Sequence, residues 1–216
     1  MSDHDPEQDQ DQDEINRRAN QKAAKRKASR DKMLATKTIE KGLLIVHTGK
    51  GKGKSTAAFG LVMRALGNGM KIGIVQFVKG KWETGERKVL EHFADQVTIR
   101  AMGEGFSWDT QDRARDIAAA EAAWRESMRM IEAARGPEPE YHMVILDELN
   151  IPIRYGHLDL DQVVEFLANR PPDLHVVVTG RNAKQPLIEI ADLVTEMTMV
   201  KHPFRAGVKA QKGIEF

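Results

Sequence analysis

Leu43-Leu44-Ile45-Val46-His47-Thr48-Gly49-Lys50-Gly51-Lys52-Gly53-Lys54-Ser55 decides how this chain folds. Its first half is a short apolar run of the kind that forms a buried strand, and its glycines force a tight loop directly afterwards. Ala57–Leu66 then reads as a helix. The order strand, glycine loop, helix aims several backbone N–H groups and a helix N-terminus at one point, which suits a chain of phosphates. Lys54 adds a mobile positive charge and Ser55 a hydroxyl able to ligate magnesium. The pattern is a P-loop with one irregularity. Threonine occupies position 48, where the usual spacing places the first glycine, so the motif begins at Gly49 and runs Gly-x3-Gly-Lys-Ser.

Outward from that loop, the 216 residues suffice for one well-buried domain with length left for tails. An apolar content of 41 % with 30 % charged residues is that of a soluble globular protein. A formal net charge of +1 points neither toward nucleic acid nor away from it. The chain has no cysteine, which excludes disulfides, thiol nucleophiles, thiolate zinc sites and cysteine-bound iron–sulfur clusters. No apolar run approaches the roughly 20 residues of a membrane span, and the acidic N-terminus does not resemble a signal peptide. A cytoplasmic protein without membrane partners is expected.

Charge is segregated at the N-terminus. Residues 1–14 hold Asp3, Asp5, Glu7, Asp9, Asp11, Asp13 and Glu14 with no Lys or Arg. Residues 15–32 hold Arg17, Arg18, Lys22, Lys25, Arg26, Lys27, Arg30 and Lys32 against one acid, Asp31. The acidic part, residues 1–14, is expected to be a disordered tail. The basic part, within 15–40, favours helix but lacks an apolar face. A solvated or partner-docked helix is preferred there to a nucleic-acid arm.

From residue 41 to 200, strand-like and helix-like segments alternate, as in a parallel sheet covered on both faces. Strands are expected at Leu43–His47, Ile72–Val78, Val97–Ala101, His142–Asp147, His175–Thr179 and Leu193–Val200. Helices are expected at Glu86–Phe93, Gln111–Ala134, Leu160–Ala168 and Ala183–Ala191. The fold class is therefore α/β, a RecA-like P-loop NTPase fold with a mostly parallel six-stranded sheet, and residues 201–216 form a C-terminal tail.

Val144-Ile145-Leu146-Asp147-Glu148 ends a buried strand in two carboxylates. Ligands gather at the carboxyl ends of such strands, so Asp147 or Glu148 can approach a nucleotide-bound magnesium, as a Walker B acid does. The strand reading does not choose between them. Lys79, Lys81, Trp82, Glu83, Glu86 and Arg87 follow the second strand, and Thr179-Gly180-Arg181 follows the fifth, all at the same end. Arg181 there can contact phosphate or another oxygen acceptor. Phe106 and Trp108 lie in a glycine-rich stretch after the third strand. They read either as core under the long helix or as an apolar wall for a large flat ligand. The histidines show no metal-ligand spacing.

Taken together these segments resemble the corrinoid (cobalamin) adenosyltransferases of the P-loop type. The resemblance rests on Lys41–Gly60, Val75-Gln-Phe-Val-Lys-Gly80 with Gly85-Glu86, and Gly105-Phe-Ser-Trp-Asp-Thr-Gln111. It continues through Leu146-Asp-Glu-Leu149, Val178-Thr-Gly-Arg181 and the tail Val200-Lys-His-Pro-Phe-Arg-Ala-Gly-Val-Lys-Ala-Gln-Lys-Gly-Ile-Glu-Phe216, in unbroken order over about residues 30–216. The short glycine spacing is what that family has.

The resemblance implies a homodimeric enzyme that moves the 5′-deoxyadenosyl group of ATP onto cobalt(I) of a corrinoid and releases triphosphate. It implies an ATP site built from Thr48, Gly49, Lys50, Gly51, Lys52, Gly53, Lys54, Ser55, Thr56, Arg64 and Arg181. Ser55, Asp147 and Glu148 would serve Mg²⁺ or Mn²⁺, and Lys54 and Glu148 would take part in catalysis. Phe106 and Trp108 would pack under the corrin and exclude the lower axial ligand of cobalt. Residues 15–40 would act as a lid, and a small reductant or reduced flavoprotein would supply the electron. Two other readings of the loop are an ordinary NTPase or kinase acting at the γ-phosphate and a RecA-like nucleic-acid-binding module. The first predicts orthophosphate or a phosphorylated product, and the second predicts salt-sensitive binding through the basic segment.

Overall fold

In the computed structural model of the chain, residues 6–78, 84–103 and 112–215 are described, with side chains from residue 12 onward. The chain divides into two units, Met1–Glu40 and Lys41–Phe216.

Among its described residues the first unit holds one helix, α1 (Pro6–Leu34). It starts at Pro6, within the acidic stretch for which an unstructured tail is expected. Proline at the first helical position loses nothing, because an N–H there has no intrahelical partner. Farther along, helix-compatible pairs support it: Arg18 donates to Glu14 at 2.5 Å and Gln12 to Asn16 at 3.3 Å, both four residues apart. From residue 12 to Leu34 every side chain is exposed, as the lack of an apolar stripe requires.

The second unit is built on six parallel strands. They are β1 (Leu44–Thr48), β2 (Ile72–Gln76), β3 (Val97–Ala101), β4 (Met143–Asp147), β5 (His175–Thr179) and β6 (Leu193–Glu196). Their spatial order is β3-β2-β4-β5-β1-β6. Register is set by pairs such as Val46 with Val178, Ile145 with Val177 and Ile74 with Ile145. Strands β1, β2 and β4 are buried at every position, which is why they read as unbroken apolar runs. The edge strand β6 is exposed throughout.

Side chains alternate between two cores, as the two-residue strand period demands. On one face Leu44, Val46, Val75, Val144, Leu146, Val176 and Val178 meet α4 (Arg113–Glu132), α6 (Leu160–Ala168) and α7 (Gln185–Ile190) through Trp124, Met130, Val163, Leu167 and Leu187. On the other face Ile45, Ile72, Ile74, Ile145 and Val177 pack on α2 (Lys54–Leu66) and α3 (Gly85–Leu90) through Ala58, Phe59, Val62, Leu66 and Leu90. The α/β P-loop fold expected from the sequence is thus present, with all six strands parallel.

Several boundaries shift by a few residues, and two boundaries and one added element have identifiable reasons. Helix α2 begins at Lys54 rather than Ala57, since the glycine loop turns straight into it. Strand β6 stops at Glu196 instead of running to Val200. Its continuation is diverted because the Met197 N–H donates to Thr48 O at 2.9 Å while Met197 O accepts from the Gly51 N–H at 2.6 Å. A short helix, α5 (Asn150–Arg154), follows the acidic pair and was not foreseen, because Pro152 masks it. The segment after residue 200 belongs to the second unit and includes a 3₁₀ turn at Pro203–Ala206.

Candidate active site

All parallel strands end on one side of the sheet, and the glycine loop, the acidic pair and the Thr179-Gly180-Arg181 turn share that side. Gly49 and Gly53 have φ of 97° and 105°, a left-handed backbone that disfavours side chains. A second constraint is close packing. A β-carbon on Gly49 would lie 2.4 Å from Met197 O, and one on Gly51 would lie 2.6 Å from Thr198 O. The loop therefore leans on the chain that leaves β6. Gly53 is the N-cap of α2 and has no side chain to cap it, so the first-turn N–H groups keep their orientation toward a ligand.

Within the loop the residues have separate surroundings. Thr48 accepts the Ala183 N–H on its hydroxyl at 2.9 Å and so ties the loop to the turn after β5. Lys50 and Lys52 are exposed, Ser55 is half-buried in the first turn of α2, and Thr56 is exposed. Lys54 is buried, and its Nζ donates to Gly51 O at 2.5 Å. Burial pushes the Lys54 ammonium below its ordinary value. Glu148 opposes this, and the positive charges of Arg181 and Lys52 add to it. Lys54, Glu148, Arg181 and Lys52 thus share one electrostatic neighbourhood.

The two carboxylates part company. Asp147 is fully buried, and it accepts the Thr179 hydroxyl on Oδ1 at 2.8 Å and the Gln76 amide on Oδ2 at 3.3 Å. Glu148 has φ of 66°, held by its N–H donating to Thr179 Oγ1 at 2.9 Å. That left-handed turn directs its side chain toward Gly180, where a β-carbon would lie 3.3 Å from Glu148 Oε2. Asn150 closes the arrangement by donating its amide to Gly180 O at 3.0 Å, immediately before Arg181.

Of the residues expected from the sequence, the structure gathers Gly49–Ser55, Asp147, Glu148 and Arg181. It does not gather Arg64, which sits exposed in the last turn of α2, roughly 15 Å along the helix from Lys54. Phe106, Trp108, Lys79, Lys81, Trp82 and Glu83 lie outside the described residues. Thr179, Gln76 and Asn150 were not assigned roles by sequence reasoning. A polar residue ending an otherwise apolar buried strand, as at Gln76 and Thr179, is the signal that could have found two of them.

Residues 40–216 match the family described as ATP:corrinoid adenosyltransferase BtuR/CobO/CobP. The chain belongs to that corrinoid adenosyltransferase family. A corrinoid adenosyltransferase from Sinorhizobium sp is 56 % identical over 197 residues, covering 90 % of each chain. A corrinoid adenosyltransferase from Pseudomonas aeruginosa is 50 % identical over 211 residues, covering 98 % of each. Corrinoid adenosyltransferase CobA of Salmonella typhimurium is 43 % identical over 199 residues, covering 92 % of this chain and 98 % of its own. Within the family's matched span fall the glycine loop, the acidic pair and the tail through Phe216. Among solved structures, the RadB recombinase covers 76 % of this chain and 77 % of its own at 12 % identity and a TM-score of 0.45, too distant to bear on the site.

Proposed function

We propose that this chain transfers the 5′-deoxyadenosyl group of ATP to cobalt(I) of a corrinoid in cobalamin biosynthesis, with release of triphosphate. The observation that carries the reading is family membership across residues 40–216, together with a glycine loop rich in lysine. In the reaction the cobalt(I) electron pair forms the bond to ribose C5′ while the C5′–O bond breaks, and its electrons leave on the triphosphate. The substrate brings its own nucleophile. The protein's task is to orient ATP and stabilise the charge that builds on the leaving group.

Gly49–Gly53 and the first-turn N–H groups of α2 cradle the phosphates, and Lys54 exchanges its Gly51 carbonyl for a phosphate oxygen. Arg181 adds charge from the adjacent turn. The donor set of one hydroxyl and two neighbouring carboxylates fits Mg²⁺ or Mn²⁺, which take few protein oxygens beside substrate phosphates. Ser55 and Glu148 would hold that ion beside Asp147, and it would neutralise phosphate charge. Asp147 acts through Thr179, setting the turn on which Glu148 stands. Phe106 and Trp108 are assigned to the corrin face, residues 15–40 to a lid, and a reduced flavoprotein or small reductant to the electron supply. A homodimer is supported by the exposed apolar side chains Leu193 and Val194 on the edge strand. The need for ATP as substrate and for a reductant strong enough to make cobalt(I) favours a cytoplasmic location.

The test is anaerobic incubation with MgATP and chemically reduced cob(I)alamin. Light-sensitive adenosylcobalamin and triphosphate are expected in equal amounts. Orthophosphate without alkylated corrinoid would overturn the reading.

A further inference from the structure

Lys52, in the middle of the glycine loop, forms an ion pair with Glu215, the next-to-last residue of the chain. The Lys52 side chain is 49 % exposed and that of Glu215 only 18 %. The carboxylate is therefore the sheltered partner, and the lysine can still reach a ligand. Glu215 is held by a local turn. Gly213 has φ of 80°, and the Glu215 and Ile214 N–H groups both donate to Gln211 O, at 2.9 and 3.1 Å.

Three donor groups of the loop have internal acceptors. Lys54 is on Gly51 O, the Gly51 N–H is on Met197 O, and Lys52 is on Glu215. Two of those acceptors are neutral carbonyls, which a phosphate can displace without repulsion. Glu215 alone carries a negative charge. It cannot share Lys52 with a polyphosphate without opposing it.

We propose that Glu215 is a resident competitor of the triphosphate for Lys52 and biases the loop toward ATP over the inorganic product. This rests on the reading of the loop as a triphosphate cradle. When C5′–O is cleaved, the α-phosphate oxygen that was esterified in ATP becomes an anionic oxygen. The product is therefore more highly charged than the same phosphates in ATP, and Glu215 repels it more. The carboxylate takes Lys52 back as triphosphate departs. A positioning role of the opposite kind, in which Glu215 presents Lys52 to the nucleotide, would make both ligands bind more weakly once the charge is removed.

Titration calorimetry of the full chain with magnesium tripolyphosphate and with MgATP separates these outcomes. Glu215→Gln should bind tripolyphosphate about three- to fivefold more tightly, the scale of a partly exposed ion pair, and MgATP by a smaller factor. The gain should shrink as salt is raised. Glu215→Asp, which keeps the charge, should stay near the unmodified protein, and in a Lys52→Gln background the effect of Glu215→Gln should vanish. Unchanged or weaker tripolyphosphate binding by Glu215→Gln overturns the proposal, as does a gain that persists without Lys52. If the unmodified chain binds neither polyphosphate, the cradle reading falls as well. If it binds both and Glu215→Gln matches it, only the competition falls.

Discussion

Thr179 donates its hydroxyl hydrogen to Asp147 Oδ1 at 2.8 Å across the β4–β5 pair, while its own Oγ1 accepts the Glu148 N–H at 2.9 Å. One side chain thus satisfies a fully buried carboxylate and sets the backbone of the acid beside it. Thr179→Val removes both bonds at constant shape, and the loss should be about 2 kcal/mol because one oxygen of a buried carboxylate and the Glu148 N–H each lose this partner, while Gln76 keeps its bond to the other oxygen. Thr179→Ser should recover most of it. Urea unfolding checks this; a Thr179→Val protein within 1 kcal/mol of the unmodified one, on the order of a single net hydrogen bond, would contradict it.

Glu148 occupies a left-handed backbone, with φ of 66°, that glycine adopts without strain. Glu148→Gly should therefore raise stability by about 1 kcal/mol while sharply reducing adenosyl transfer. Glu148→Ala should lose activity without the gain. Stability and function are opposed at this residue, and thermal melts run beside initial rates would reveal it.

Lys54 is a lysine that burial drives below its ordinary value of 10.5. Between the lowered value and 10.5 the unfolded chain binds more protons than the folded one, so stability rises with pH across that window. The cost of Lys54 is fully present below the lowered value and fades as 10.5 is approached. Lys54→Met should narrow that pH dependence and abolish turnover. In the unmodified protein, kcat/KM for ATP should decline on an alkaline limb that sets in below 10.5, as the cationic form is lost. A limb unaltered in Lys54→Arg would show that another group is responsible.

Asp192 ties three segments together. It pairs with Lys41, accepts from Arg170 at 2.9 Å and takes the Leu44 N–H at 2.9 Å. Burial alone would push its carboxyl up, but the Lys41 hydrogen bond, the Leu44 N–H and the charges of Lys41 and Arg170 outweigh it, so the net displacement is downward. Its stabilisation is complete above the ordinary value of 3.8 and is lost as pH falls through the lowered one. Asp192→Asn should cost about 1 kcal/mol near neutrality, a modest figure because solvent screens the pair. The difference from the unmodified protein should disappear in acid.

Trp108, assigned to the corrin face by resemblance, has a specific test. Trp108→Ala should impair transfer when the corrinoid is supplied as cobalt(II) with a weak reductant. It should have little effect with preformed cobalt(I). Equal damage under both conditions would refute a role in removing the lower axial ligand.

How much of this was legible in advance depends on the range of the interactions involved. Val97–Ala101, His175–Thr179 and Leu160–Ala168 are read from the chain with their observed bounds, because their strand and helix periodicities are carried by contiguous residues. Strand β6 was overextended, since its end is set by Gly51 and Thr48, roughly 150 residues upstream in a chain of 216. Arg64 carried the right charge for a phosphate site, but helix geometry puts it on the far end of α2.

By itself the sequence determined the strand-loop-helix cradle, the parallel sheet and the family, since each is written in contiguous residues whose periodicity and glycine spacing admit few folds. Which carboxylate is buried and which faces the loop was decided only by tertiary structure. Asp147 and Glu148 are chemically alike and adjacent, and the distinction arises from Thr179 and Gln76 on neighbouring strands. The pairing of Lys52 with Glu215 is likewise invisible in a linear chain. Contacts between distant residues depend on where the backbone returns, and that is a property of the packed sheet.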